Sequence, residues 1–142
     1  MQQNIPDTDS VNGRIIFLAE DDIDDQEFLK DALLSIDPYI DFVAFSSGLK
    51  FINNISQLDA ASLPGLIILD YNIPEINGAE ILKQLQENVR YAAIPKIVWS
   101  TSDSELYRQN CLKYGAITYF VKPSSMNGIQ EMARRMLNFF PA

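Results

Sequence analysis

The chain has 142 residues, which at roughly 100–200 residues per domain makes one domain with no room for a second. Hydrophobic residues supply 47% and charged residues 21%, an ordinary globular balance that excludes wholesale disorder, and no apolar run approaches the ~18 residues of a membrane span. The formal charge of −8 argues against a nucleic-acid backbone as partner.

The missing residue types narrow the chemistry further. There is no histidine, which removes Ser-His-Asp and Cys-His catalysis, imidazole bases, His-ligated zinc and any phosphohistidine carrier role. The single Cys111 excludes an internal disulfide and suits a reducing compartment. No basic-then-apolar leader opens the chain, so the expectation is a cytoplasmic protein. Whatever chemistry occurs must rest on carboxylates, hydroxyls and lysines.

Residues 1–12 are polar and predict a flexible tail, with the domain over 13–142. Arg14–Ala19 (RIIFLA) is a short apolar run, as expected of a strand buried on both faces. Asp24–Ile36 predicts a helix with Phe28, Leu29, Ala32, Leu33 and Ile36 on its apolar stripe. Ile40–Phe45 is strand-like, and Ser46 or Ser47 can cap a helix carrying Leu49, Ile52 and Ile55. A loop over Leu58–Gly65 leads to a third strand, Leu66–Leu69, which ends on Asp70.

Asn77, with Glu80 three places on, predicts the cap of a helix carrying Ile81, Leu82 and Leu85. Lys96–Trp99 is the fourth strand, and a polar helix from about Asp103 to Tyr114 stops at Gly115. Ile117–Val121 is the fifth strand, and Ser125 opens a last helix with Ile129, Met132, Met136 and Phe140 aligned. Five strands separated by single helices imply an α/β doubly wound parallel sheet with right-handed crossovers and helices on both faces. Ligands of such sheets sit beyond the carboxyl ends of the strands.

At those ends stand Glu20-Asp21-Asp22, Asp70, Ser100-Thr101 and Lys122-Pro123. Converged at one edge, the carboxylates would repel one another, and an oxygen-seeking Mg²⁺ would relieve that conflict. One carboxylate could then accept a phosphoryl group as an aspartyl phosphate, with Ser100 and Lys122 neutralising its oxygens. Each group also has an ordinary reading. The six acids within Glu20–Glu27 can complement a helix N-terminus, Asp70 can be a turn residue, Ser100 a cap and Lys122 a surface lysine. Chance must, however, place all four at four ends of one sheet.

These residues resemble the receiver domain of bacterial two-component response regulators from Arg14 to about Phe140, through IFLAEDD, LIILDYNIPEING, PKIVWSTS and YFVKP. Pro74 and Gly78 match the family loop. The resemblance implies a flavodoxin-like (βα)5 fold with strand order 2-1-3-4-5. It makes Asp70 the phosphoacceptor, with Ser100 and Lys122 acting on the phosphoryl group. It assigns Mg²⁺ to the side chains of Asp21 and Asp70, the Asn72 carbonyl and, mostly through water, Glu20. Ser100 and Tyr119 become the switch pair, and the Lys122–Pro123 bond is expected to be cis.

The phosphoryl donor implied is a sensor histidine kinase or a histidine phosphotransfer protein. The WSTS sequence and the loop before the third strand are similar to small stand-alone regulators, some of which pair with phytochrome-type kinases. Two positions depart from the family. Thr101 stands where Ala or Gly is usual, and Trp99 replaces an aliphatic residue, which core packing accommodates.

The function expected is a non-enzymatic phosphoacceptor switch acting through an unidentified protein target, a homodimer or onward transfer of the phosphoryl group. Its partner surface is expected on the fourth helix, fifth strand and fifth helix, at Glu105, Arg108, Lys113, Tyr119, Met132 and Met136. A haloacid-dehalogenase-like phosphatase would need a second acid two residues after the nucleophile, where Asn72 stands. A receiver that works without phosphorylation usually lacks one site residue, and none is missing here.

Overall fold

Each short apolar run forms a strand and each periodic segment a helix. The computed structural model describes residues 14–141; the tail expected over 1–12 lies outside the described residues. The strands are β1 (Ile15–Ala19), β2 (Asp41–Phe45), β3 (Leu66–Asp70), β4 (Lys96–Ser100) and β5 (Thr118–Val121). Between and after them run α1 (Ile23–Ile36), α2 (Gly48–Ile55), α3 (Gly78–Gln86), α4 (Glu105–Lys113) and α5 (Met126–Leu137). The sheet is fully parallel, in the order β2-β1-β3-β4-β5.

Alternation along the strands builds a core on each face. Phe17, Ala19, Ile67, Leu69 and Val98 point into one, closed by α2, α3 and α4 through Phe51, Ile55, Ile81, Leu82, Leu85 and Cys111. Ile16, Leu18, Leu66, Ile68, Ile97, Trp99 and Phe120 point into the other, closed by α1 and α5. All five residues of β3 are buried, as a central strand covered on both faces requires. Burying a Leu or Ile side chain contributes about 1.5–3 kcal/mol, so these two layers dominate the stability.

All five helices start on an oxygen-bearing side chain. Asp22, Ser47, Asn77, Ser104 and Ser125 accept from the backbone N–H three residues on, at 2.9 to 3.3 Å. The caps expected at Ser47, Asn77 and Ser125 are therefore present, and α4 begins at Glu105, after its Ser104 cap. Gly115 has φ of +100°, a left-handed conformation that ends the α4 segment and turns it into β5.

The structure corrects several finer expectations. On α1, Leu29, Ala32 and Leu33 are buried but Phe28 is 40% exposed, because the stripe facing the sheet is narrower than its apolar sequence. On α2, Phe51 and Ile55 face the core and Leu49 is exposed, a rotation of the buried face by part of a turn. Met132 and Met136 are buried with Ile129 and Ala133 against the second core, so they are not part of an exposed face. No described peptide bond is cis, Lys122–Pro123 included; trans is the lower-energy isomer even before proline, by about 0.5–1 kcal/mol.

Candidate functional site

The register of the sheet decides which strand ends meet. Ala19 pairs with Leu69, which places Glu20 level with Asp70 on adjoining strands. Asp70 pairs with Trp99, and Ser100 pairs with Val121, so Lys122 emerges just beyond Ser100. Strand order reverses between β1 and β3, and the crevice beyond those carboxyl ends is where the acids collect.

One carboxylate oxygen from each of Glu20, Asp21 and Asp70 lies within 4.8 Å of the others. Glu20 is fully buried and Asp70 nearly so, while Asp21 is exposed and keeps the cluster open to solvent. An all-oxygen donor set with one open side suits a hard divalent cation that retains waters. Asp22 stands apart. Its side chain caps α1 by accepting from Asp25, while its N–H donates to Glu20 at 3.0 Å.

Lys122 spans the acids. Its Nζ donates to Glu20 Oε1 at 2.7 Å, to Asp25 Oδ2 at 2.9 Å and to Asp70 Oδ2 at 3.3 Å. The Trp99 ring lies beneath it, with Nζ 4.6 Å from the centroid. Burial pushes the Glu20 carboxyl up to about 8 from 4.5, with the Asp70 charge adding to the rise and the Lys122 and Asp22 bonds opposing it. Burial alone would depress Lys122, but its bonds to Glu20 and Asp25 and the Asp70 charge prevail and hold it above its ordinary value.

Asn72 follows and is exposed, its N–H donating to Asp70 Oδ1 at 3.1 Å. Gly78 returns that loop to α3. A Cβ there would stand 2.9 Å from the Asp70 carbonyl oxygen, so only glycine allows the helix to start so close to the acid. Ser100 is fully buried and its Oγ accepts from the Ser102 N–H. Tyr119 is half-buried, and its hydroxyl donates to the Ser102 carbonyl at 2.7 Å. Burial raises the Tyr119 phenol, with bonds to Ser100 and Ser102 pulling it back.

The structure thus brings Glu20, Asp21, Asp70 and Lys122 into one cluster, with Asn72 on its rim. Ser100 and Tyr119 meet around the Ser102 segment beside it. Two participants escaped the sequence reading. Asp25 is one of six acids within Glu20–Glu27, and only the helix phase shows that it leans onto Lys122. Trp99 is a core residue, as its sequence position suggests, but its ring also carries the ammonium. Beyond Asp70, Tyr71 stacks on Tyr107 of α4 with centroids 4.1 Å apart, joining the loop to that helix.

Comparison with known proteins agrees with this geometry. Residues 16–134 match the family described as the response regulator receiver domain. The chain is 32% identical over 72 residues to the two-component response regulator ORR5 of Oryza sativa, covering 51% of this chain and 54% of that protein. It is 32% identical over 75 residues to the chemotaxis protein CheY1 of Helicobacter pylori, covering 53% of this chain and 60% of that one. The matches therefore span about half the length of these curated relatives.

Among solved structures, the phosphorylated cyanobacterial phytochrome response regulator RcpA is similar at TM-score 0.82 and 25% identity, covering 89% of this chain and 93% of its own. The Mn²⁺-bound response regulator Rcp1 shares the fold at TM-score 0.80 and 23% identity, covering 91% and 99%. No helix among the described residues is long and apolar enough to cross a membrane. A matching family over most of the chain, the β2-β1-β3-β4-β5 sheet and the acids at its carboxyl edge agree: the chain belongs to the response regulator receiver domains, the signalling domains of two-component systems.

Proposed function

We propose that the chain is a phosphoacceptor switch whose acceptor is Asp70, and that its site holds Mg²⁺ between Glu20, Asp21, Asp70 and the Asn72 carbonyl. The observation that carries this reading is the three-acid oxygen cluster bridged by one lysine at the crevice between β1 and β3. A bound divalent cation would supply charge neutralisation for the incoming phosphoryl group.

An Asp70 carboxylate oxygen attacks phosphorus, the bond from phosphorus to the donor's histidine nitrogen breaks, and the imidazole leaves. Lys122 then moves its hydrogen bond from Asp70 to a phosphoryl oxygen, where a charge-assisted contact is stronger than a neutral one. Ser100, buried one strand away, donates its hydroxyl to another phosphoryl oxygen and releases the Ser102 N–H. The Tyr119 hydroxyl bonds the carbonyl of the same Ser102, so a shift there reaches α4 and β5 directly. The protein's output is this change of shape, with no substrate turned over beyond its own phosphoryl group.

The donor is a sensor histidine kinase or a histidine phosphotransfer protein. Likeness to a phytochrome response regulator supports a phytochrome-type kinase. The output surface is the face of α4, β5 and the exposed side of α5, where Glu105, Leu106, Arg108, Lys113 and Val121 are exposed beside Tyr119. Its occupant is a downstream protein, a second copy of the chain or the next carrier in a relay; nucleic acid and membrane are not among them. The site of action is the cytoplasm.

The test is incubation with acetyl phosphate and Mg²⁺, read by intact mass. One phosphoryl adduct is expected, lost in Asp70→Asn and after chelation. An adduct that survives Asp70→Asn overturns the reading.

A further inference from the structure

Of the three carboxylates that Lys122 reaches, Glu20 and Asp70 belong to the oxygen cluster that fits a cation, and Asp25 does not. With a dication held by that cluster, the Glu20 and Asp70 oxygens would turn toward it and the ammonium would be repelled. Asp25 is the one partner left outside that competition. It projects from the first turn of α1 and is one-third exposed. The second contact comes from below. Trp99 is 2% exposed and presents its ring face to Nζ at 4.6 Å, a separation at which the ring quadrupole attracts a cation. Its indole N–H has no hydrogen-bond partner among the described residues. Trp99 pairs with Phe120 in the sheet, which puts Trp99 and Lys122 on the face covered by α1.

We propose that Asp25 and Trp99 are positioning residues for Lys122, holding its ammonium over the phosphoacceptor after a divalent cation has drawn Glu20 and Asp70 away. This rests on the phosphoacceptor reading above. Asp25 clamps the ammonium from the side of α1, and the indole supports it from the core. Neither residue touches the phosphoryl group; each acts through the lysine. The arrangement also explains why an indole, in a position usually aliphatic, meets a buried cation here.

The competing role for Asp25 is that of a first-turn acid favourable to the positive end of α1. Asp24 shares that first turn, is exposed and bonds no lysine, so it is the internal control. The experiment uses the full chain and NMR of the Lys122 side chain, whose terminal methylene protons are shifted upfield by the ring beneath them. The shift is recorded without metal and at saturating Mg²⁺. Wild type and Asp24→Asn keep the upfield shift when Mg²⁺ is added. Asp25→Asn loses it on Mg²⁺ addition, and Asp25→Glu regains it.

The labelling rate with acetyl phosphate at saturating Mg²⁺ falls about three- to tenfold in Asp25→Asn and Trp99→Leu, with Trp99→Phe between Leu and wild type. A retained shift or an unchanged rate in Asp25→Asn overturns the proposal. If wild type takes no label at all, the phosphoacceptor reading fails, while the NMR comparison still decides where the ammonium is held.

Discussion

Two lysines with largely covered side chains stand at opposite edges of the same sheet in opposite electrostatic states. Lys122 follows β5 at the carboxyl edge, touches three carboxylates, and is held above its ordinary pKa despite burial. Lys96 opens β4 at the amino edge and is 7% exposed, and its ammonium bonds the Tyr91 carbonyl with no carboxylate partner among the described residues. Burial lowers its pKa and nothing opposes it. Burial is common to both lysines, and the partners set the sign. The amino edge tolerates one buried charge with a single acceptor, whereas the carboxyl edge concentrates matched charges that a cation and a phosphoryl group can redistribute.

The backbone repeats this contrast. At the amino edge the left-handed residue is Gly115, which adopts φ of +100° at no steric cost. In the loop leaving Asp70 it is Glu75, with φ of 76°, a conformation that a side chain with a Cβ rarely takes. Strain is thus kept beside the site and avoided at the far end of the sheet.

The sharpest way to break the comparison is to remove each ammonium. Lys122→Ala should slow phosphoryl labelling about 100-fold, the loss typical of a deleted charge-stabilising donor, while Mg²⁺ binding persists. Lys96→Met, of similar volume, should leave labelling unchanged and shift stability by no more than about 1 kcal/mol, toward greater stability, because it removes a buried charge without orphaning a partner charge. Labelling kinetics and urea denaturation check both. Equal labelling losses would mean that the two edges do not differ in function.

Titration separates the edges next. In the metal-free protein the Glu20 carboxyl is raised, so the folded state binds more protons than the unfolded chain between pH 4.5 and about 8. Stability should therefore fall as pH rises through that window, and Mg²⁺ affinity should climb by up to about tenfold per unit as the competing proton is lost. Lys96 acts in the opposite sense. Its pKa is lowered on folding, so stability should rise as pH climbs from that depressed value toward 10.5. Thermal melts across pH, with and without Mg²⁺, for wild type, Glu20→Gln and Lys96→Met would show each slope vanish with its residue.

The smallest effects belong to the backbone. Gly115→Ala should cost about 1–2 kcal/mol, the penalty for a Cβ in the left-handed region. Glu75→Gly should add about 0.5–1 kcal/mol of stability, since the relief of the same penalty exceeds the entropy cost of glycine. Chemical denaturation resolves both, and a destabilised Glu75→Gly would show that the loop is not strained.

The contrast between the edges also marks what was legible in the sequence. All five strands could be read because each is a short apolar run ended by a polar residue, and the cap residues Ser47, Asn77 and Ser125 signalled where helices start. The grouping of Glu20, Asp21, Asp70 and Lys122 followed from strand ends in a parallel sheet. Helix rotation was less accessible. Phe28 and Leu49 are apolar yet exposed, and Met132 and Met136 are buried where an open face was expected, because the packing partner and not the periodicity alone selects the buried stripe. The contact between Asp25 and Lys122 spans 97 residues of sequence and depends on how α1 docks, which no local pattern encodes. The solitary burial of Lys96 was hidden for the same reason, since a lysine at the start of a strand ordinarily reads as solvated.

The central claim is that the carboxyl edge accepts a phosphoryl group on one particular oxygen acid. Borohydride trapping tests it most directly, because it reduces an acyl phosphate to the alcohol and so converts a phosphorylated aspartate to homoserine. The chain would be incubated with acetyl phosphate and Mg²⁺, reduced, digested and sequenced by mass spectrometry. Homoserine at position 70, absent when Mg²⁺ is chelated, is the expected result; homoserine at Asp21 or Asp25, or at position 70 regardless of metal, would contradict it.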